Sequence, residues 1–181
     1  MSKTIIIIGN IIAAAGSLSL FISTVSKDKK GIIQAQGAGS FFLLVSDMFL
    51  KGYSGAIQDA VGLIRSIVIL AGKNSKAVSI ILVAAGVVPG IIFNNHGALG
   101  ILPVFANFEF ACVTLNPKSN ETAMKAAICV STACWAVYCF IIKNYVSTCV
   151  NIVTSTSALI FVIKSLVKKK KGETESGEVK G

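Results

Sequence analysis

Charge is what this chain has least of. Only 14% of its 181 residues are charged, against 54% hydrophobic, where an ordinary soluble domain carries roughly a quarter charged. So few polar side chains cannot cover a water-facing surface, and the folded chain would expose large apolar patches in water. A bilayer removes the shortage, because lipid solvates apolar surface. Mean hydropathy of +0.76 agrees. Histidine is nearly absent, His96 being the only one. None of the five cysteines, Cys112, Cys129, Cys134, Cys139 and Cys149, stands near it in sequence, so metal-ligand spacing is lacking. All five lie in or beside apolar runs, where cysteine acts as a small hydrophobe. No nucleotide-binding glycine loop, zinc motif, Ser/His/Asp set or usefully spaced pair of carboxylates occurs. We therefore expect neither enzyme nor cofactor.

The formal charge of +9 would suit a nucleic-acid partner, but a basic face with interleaved aromatics is missing. The lysines fall in short gaps between apolar runs and in one cluster, Lys168 to Lys171. That cluster follows an apolar run, as a cytoplasmic anchor on anionic headgroups would. Crossing the hydrocarbon core takes about 20 apolar residues. By that measure the spans are 4–25, 31–49, 53–71, 77–93, 98–115, 122–142 and 145–167. The fold class expected is all-α, a polytopic membrane protein of about seven transmembrane helices. The first span is longer than a signal core, so we expect it to be retained.

Alternate loops differ sharply in basic charge. Lys3, Lys51 and Lys143 lie on one side, whereas the other 13 of the 16 lysines lie on the opposite side. The positive-inside rule then puts the N-terminus outside and the C-terminus in the cytoplasm.

Displacing the sequence so that Tyr53 meets Tyr145 lays spans two and three over six and seven, and span one over span five. Lys51 meets Lys143, and Asp59 meets Asn151. The expected layout is two parallel three-helix repeats joined by a linker helix. Its units are 1–76, a linker over 77–97, 98–167, and a lysine-rich tail over 168–181, read as unstructured. Gly55, Gln58, Asp59, Gly62, Arg65 and Ser66 recur at helical spacing along span three. The matching stripe on span seven is Ser147, Asn151, Thr154 and Ser157. Two readings fit these stripes: close helix packing through small residues, or the lining of a polar cavity. Asp59 and Arg65 favour the cavity, because an isolated charge in the bilayer is costly.

Span five adds Asn107 and Glu109, and Glu109 has a depth similar to that of Arg65, so these two are candidates for an ion pair or gate. Asp47 and Lys125 fall near span ends, where they would snorkel to the headgroups. Pro89 and Pro103 are expected to bend spans four and five. Trp135 and Tyr138 could line a cavity, though packing is the commoner role for such rings.

Three stretches resemble the bacterial inner-membrane family called YgjV. They are Phe41-Phe42-Leu43-Leu44 through Tyr53-Ser54-Gly55-Ala56 to Arg65; Leu102-Pro103-Val104; and Ser131-Thr132-Ala133-Cys134-Trp135. The resemblance implies a multi-pass inner-membrane protein and brings no catalytic residues with it. The three-one-three layout is similar to the SWEET and PnuC transporters. Asp59 stands where the SWEET pattern has a neutral asparagine, and the first span lacks the matching proline. Both departures count against a neutral sugar.

The expected function is transport of a small polar or cationic solute. Asp59 and Asn151 would contact the solute, with Gln58, Thr154 and Trp135 beside them. Arg65 and Glu109 would form the cytoplasmic gate. The alternative is a non-transporting scaffold or regulator that binds a partner. Homo-oligomers are compatible with either.

Overall fold

In a computed structural model the described residues form a bundle of seven α-helices. Residues 1–25, 29–73, 75–115 and 120–178 are described, with side chains for 1–22, 30–73, 75–113, 120 and 122–167. The helices are α1 Lys3–Val25, α2 Lys29–Phe49, α3 Tyr53–Leu70, α4 Lys76–Ile92, α5 Leu102–Leu115, α6 Glu121–Ile141 and α7 Tyr145–Glu178. Five are long and apolar enough to cross a membrane: α1, α2, α3, α6 and α7. The apolar segments of α4 and α5 are shorter. Their outward side chains are those of a lipid-facing surface, with Ile11, Ile81, Ile92 and Val153 all exposed.

Span five departs from the continuous helix expected. A 3-10 turn, Gly97–Ile101, precedes α5, and Pro103 is only the second residue of the helix. There its missing N–H is one the first turn leaves unpaired anyway, so it starts the helix and does not bend it. Pro89 is inside α4, in the last turn. The C-terminal boundary also moves: α7 continues helically to Glu178, past the expected end at residue 167. The side chains of Lys168 to Lys171, assigned above to headgroup anchoring, lie outside the described residues.

Two turns, α2–α3 and α6–α7, share one hydrogen-bond pattern. Lys51 and Lys143 adopt left-handed φ of 58° and 67°. Gly52 N donates to Asp47 O at 2.7 Å, and Asn144 N to Cys139 O at 2.8 Å. This is a helix C-cap in the left-handed conformation, normally a glycine's role. Each turn is held by asparagine from another element. Asn95, between α4 and the 3-10 turn, donates to Lys51 O at 2.7 Å. Asn10 of α1 donates to Lys143 O at 2.8 Å and accepts from Val146 N at 3.1 Å.

Between membrane helices apolar burial supplies little drive, so close approach and hydrogen bonds decide the packing. Glycines make the approach between α1 and α2. Leu50 packs onto Gly9, and Gly16 and Gly39 meet so tightly that a Cβ on either would come within 3.2 Å of the other's carbonyl oxygen. In each group of three the middle helix packs against both neighbours: α2 on α1 and α3, α6 on α5 and α7. α3 packs on α5 and α1 on α7, so six helices close a ring. α4 covers the α3–α5 seam, with Gly86 and Gly90 against Gln58 and Val104.

Candidate functional site in the helix ring

The ring encloses a cavity of about 470 Å³ lined by side chains of all seven helices. Its polar lining comprises Ser17, Gln36, Ser40, Asp47, Gln58, Asp59, Arg65, Asn107, Ser131, Thr132, Trp135, Ser147 and Asn151. The volume suits a small organic solute, near the low end of common ligand sites.

One end is sealed. Leu50, Tyr138, Cys139 and Ile142 form a buried plug beside the two lysine turns, with Leu102 and Trp135 against it. Tyr138 is completely buried, and its hydroxyl accepts from Gly55 N at 3.0 Å and from Ser54 Oγ at 3.4 Å. The His96 ring meets its edge, 6.3 Å between centroids, and His96 Nε2 is 3.1 Å from Lys51 O. The lining then runs down the helices to Arg65 in α3 and to Gln36 and Leu20, nearer the opposite ends of α2 and α1.

Asp47 corrects the sequence reading. Expected to meet headgroups, it is 2% exposed and enclosed by the plug. The α2–α3 turn directs it inward, against Gly55. Its Oδ1 accepts from Asn144 Nδ2 at 3.3 Å, while Oδ2 is buried with no hydrogen-bond partner. Asn144 is the organising residue: Nδ2 also donates to Ser46 Oγ at 3.3 Å, and Oδ1 accepts from Ser147 N at 3.1 Å, capping α7. Ser46 in turn donates to Gly9 O at 2.9 Å, which ties α1 into the same cluster.

The other site residues divide. Asp59, Asn151, Gln58, Trp135 and Arg65 all line the cavity. Gln58 is held on both sides: Nε2 donates to Gly86 O at 2.9 Å, and Oε1 accepts from Asn107 Nδ2 at 3.1 Å. Trp135 Nε1 donates to Asn107 Oδ1 at 3.4 Å. This relay fixes α6, α5, α3 and α4 relative to one another. Asn151 Nδ2 approaches Cys139 Sγ at 3.9 Å. Thr154 is outside the lining: it is exposed, and its hydroxyl returns to Val150 O at 2.9 Å. Glu109 is outside it too, with Oε2 buried and unpartnered. Arg65 and Glu109 are not brought together as an ion pair. Lys125 lies over the Phe161 ring, 5.4 Å from its centre.

The model of a bacterial inner-membrane protein family, Imp-YgjV, matches residues 7–169, nearly the whole helical bundle. The chain belongs to this family. No curated protein matches it, and no solved structure does. The YgjV-family chain is thus a bacterial inner-membrane protein with several membrane-spanning helices.

Sequence reasoning missed Asn144 and Asn10 in this YgjV-family site, and it had Tyr138 and Asn107 without their partners. For Asn144 a signal existed. It is the residue after a lysine turn, in the position where the other turn has Gly52, and asparagine is a favoured helix N-cap. Asn10 carried no such mark.

Proposed function

We propose that this protein moves a small polar or cationic solute across the inner membrane through the ring cavity. One observation carries the reading: a polar cavity bearing Asp59 and Arg65 is ringed by six packed helices, covered by α4 and plugged at one end. Charged side chains at membrane depth are expensive unless paired or hydrated. A scaffold would gain nothing from keeping them unpaired around empty space. A transporter needs such groups, because a solute leaving water must recover its hydrogen bonds inside.

The matching turns at Lys51 and Lys143 support two similar halves, 1–76 and 98–167, with α4 as linker. Solute sites between such halves near the midplane are a known transporter arrangement. Lysine distribution supports an outside N-terminus, so the plug would face out and the cavity would load from the cytoplasm. Asp59 and Asn151 would contact the solute, Trp135 would offer a ring face, and Gln58 would hold the wall through Asn107 and Gly86.

The test is a thermal screen of amines, sugars, nucleosides and vitamins on purified parent and Asp59→Asn, followed by flux of any hit into proteoliposomes. At about 100 times its dissociation constant a ligand stabilises the folded state by roughly 2.7 kcal/mol. A hit should stabilise the parent, lose most of that effect in Asp59→Asn, and cross the membrane only with protein present. Equal stabilisation of both proteins removes Asp59 from the site. Binding without flux favours the scaffold or regulator.

A further inference from the structure

We infer that the sealed end of the cavity holds a binding site for one sodium ion, built from Asp47 Oδ2, Ser147 Oγ and the carboxylate of Asp59. Two independent atoms point to it. Asp47 Oδ2 and Ser147 Oγ are both buried without hydrogen-bond partners. Their residues are 2% and 4% exposed, and both line the cavity. A buried carboxylate oxygen and a buried hydroxyl, each left unsatisfied, are unusual in a folded protein.

Asn144 sets the arrangement. Its amide nitrogen holds Asp47 Oδ1 at 3.3 Å, and its carbonyl oxygen holds Ser147 N at 3.1 Å. The two free oxygens are therefore presented from both sides of one asparagine, yet they do not bond to each other. Asp59 completes the set from α3. It lies one helical turn beyond Gly55, the residue against which Asp47 packs, and is within electrostatic reach of Asp47. Two carboxylates near each other in a bilayer must share a proton or hold a cation between them, and the two unsatisfied oxygens favour the cation.

The donors decide which cation. All three are oxygens, and among the described residues there is no cluster of three His, Cys, Asp or Glu side chains. Hard oxygen donors without imidazole or thiolate clusters disfavour transition metals. Arg65 lines the same cavity, toward the end away from the plug. A divalent ion such as calcium takes 6–8 oxygens, with carboxylates prominent among them. Three donor side chains are few for such an ion and point to a monovalent one. Sodium binding goes beyond solute transport and does not depend on it, since it is read with no solute present.

The experiment measures thermal unfolding of the full-length protein in detergent, at fixed pH and ionic strength, in sodium, potassium or choline chloride. Sodium should raise the midpoint saturably, and potassium and choline should not. Ser147→Ala removes one oxygen and keeps the carboxylates, and should weaken the apparent sodium affinity roughly tenfold or more. Asp47→Asn should abolish the response. Thr156→Val, on the exposed side of α7, should respond like the parent. Equal midpoints in the three salts would overturn the site. So would a Ser147→Ala protein with the parent's sodium response, or stabilisation by acid that sodium does not reproduce. Solute screening of the same samples separates the two proposals, because a sodium-insensitive protein could still bind solute.

Discussion

Gly55 is where the carboxyl of Asp47 and the hydroxyl of Tyr138 meet the backbone of α3. A Cβ there would run into Asp47 Oδ2 and come within 2.6 Å of Tyr138 Cε1. Neither neighbour is the free end of a flexible side chain, since the plug is packed around both. Gly55→Ala should therefore destabilise the protein by about 1–3 kcal/mol, the usual cost of overpacking. Its unfolding midpoint in detergent measures this, and an unchanged midpoint would mean that the plug yields. Single residues were the least legible part of the sequence. Asp59 and Arg65 were found because charge within an apolar run is conspicuous. Asp47 is equally charged, but its place near a span end suggested headgroups. Its inward direction depends on a left-handed residue at Lys51, and no propensity rule expects lysine there. Tyr138 could be named as a ring that lines or packs but not as part of the plug, because its partners Ser54 and Gly55 lie 84 and 83 residues away.

The lysine turns dominate the scale of elements. Left-handed φ costs a residue with a Cβ roughly 1–2 kcal/mol, whereas glycine adopts it freely. Lys51→Gly and Lys143→Gly should each raise stability by about 1 kcal/mol. Asn144 of one turn bonds Asp47 beside the other at 3.3 Å, so the double variant should depart from the simple sum. Lys51→Ala is the control: it removes the charge but keeps the Cβ, and should give no gain. Thermal unfolding of the four variants checks this, and a gain in the alanine variant would assign the effect to charge. Helices were far more legible than residues, because apolar runs separated by lysine and asparagine mark both their number and their approximate ends. The break before α5 escaped notice. Gly97–Ile101 is apolar and merges with the span that follows, while its irregular backbone is held by local side-chain hydrogen bonds such as Asn94 Nδ2 to Gly97 O at 2.6 Å. The Arg65–Glu109 pair failed for a related reason. Matching depth along two helices says nothing of the direction in which each side chain points.

At the scale of the whole molecule, six helices close a ring through the α3–α5 and α1–α7 contacts. Ring closure leaves no trace in hydropathy, since a helix facing a cavity and one packed on a neighbour are equally apolar on their lipid sides. The polar stripes gave the only hint, and they served for the α3 side and for Asn151, but not for Thr154. The account stands on water reaching Asp59 from the lysine-rich side of the membrane and not from the plugged side. Asp59→Cys, in a protein freed of its five native cysteines, tests this directly with a small charged thiol reagent. In inside-out vesicles, where the cytoplasmic face meets the reagent, position 59 should react readily. In intact spheroplasts it should react far more slowly, while a cysteine at Asn95, in the exposed loop outside the plug, should react at once. A cysteine at position 59 that reacts from neither face, in a protein that still folds, would mean a dry, packed centre and would contradict the cavity reading.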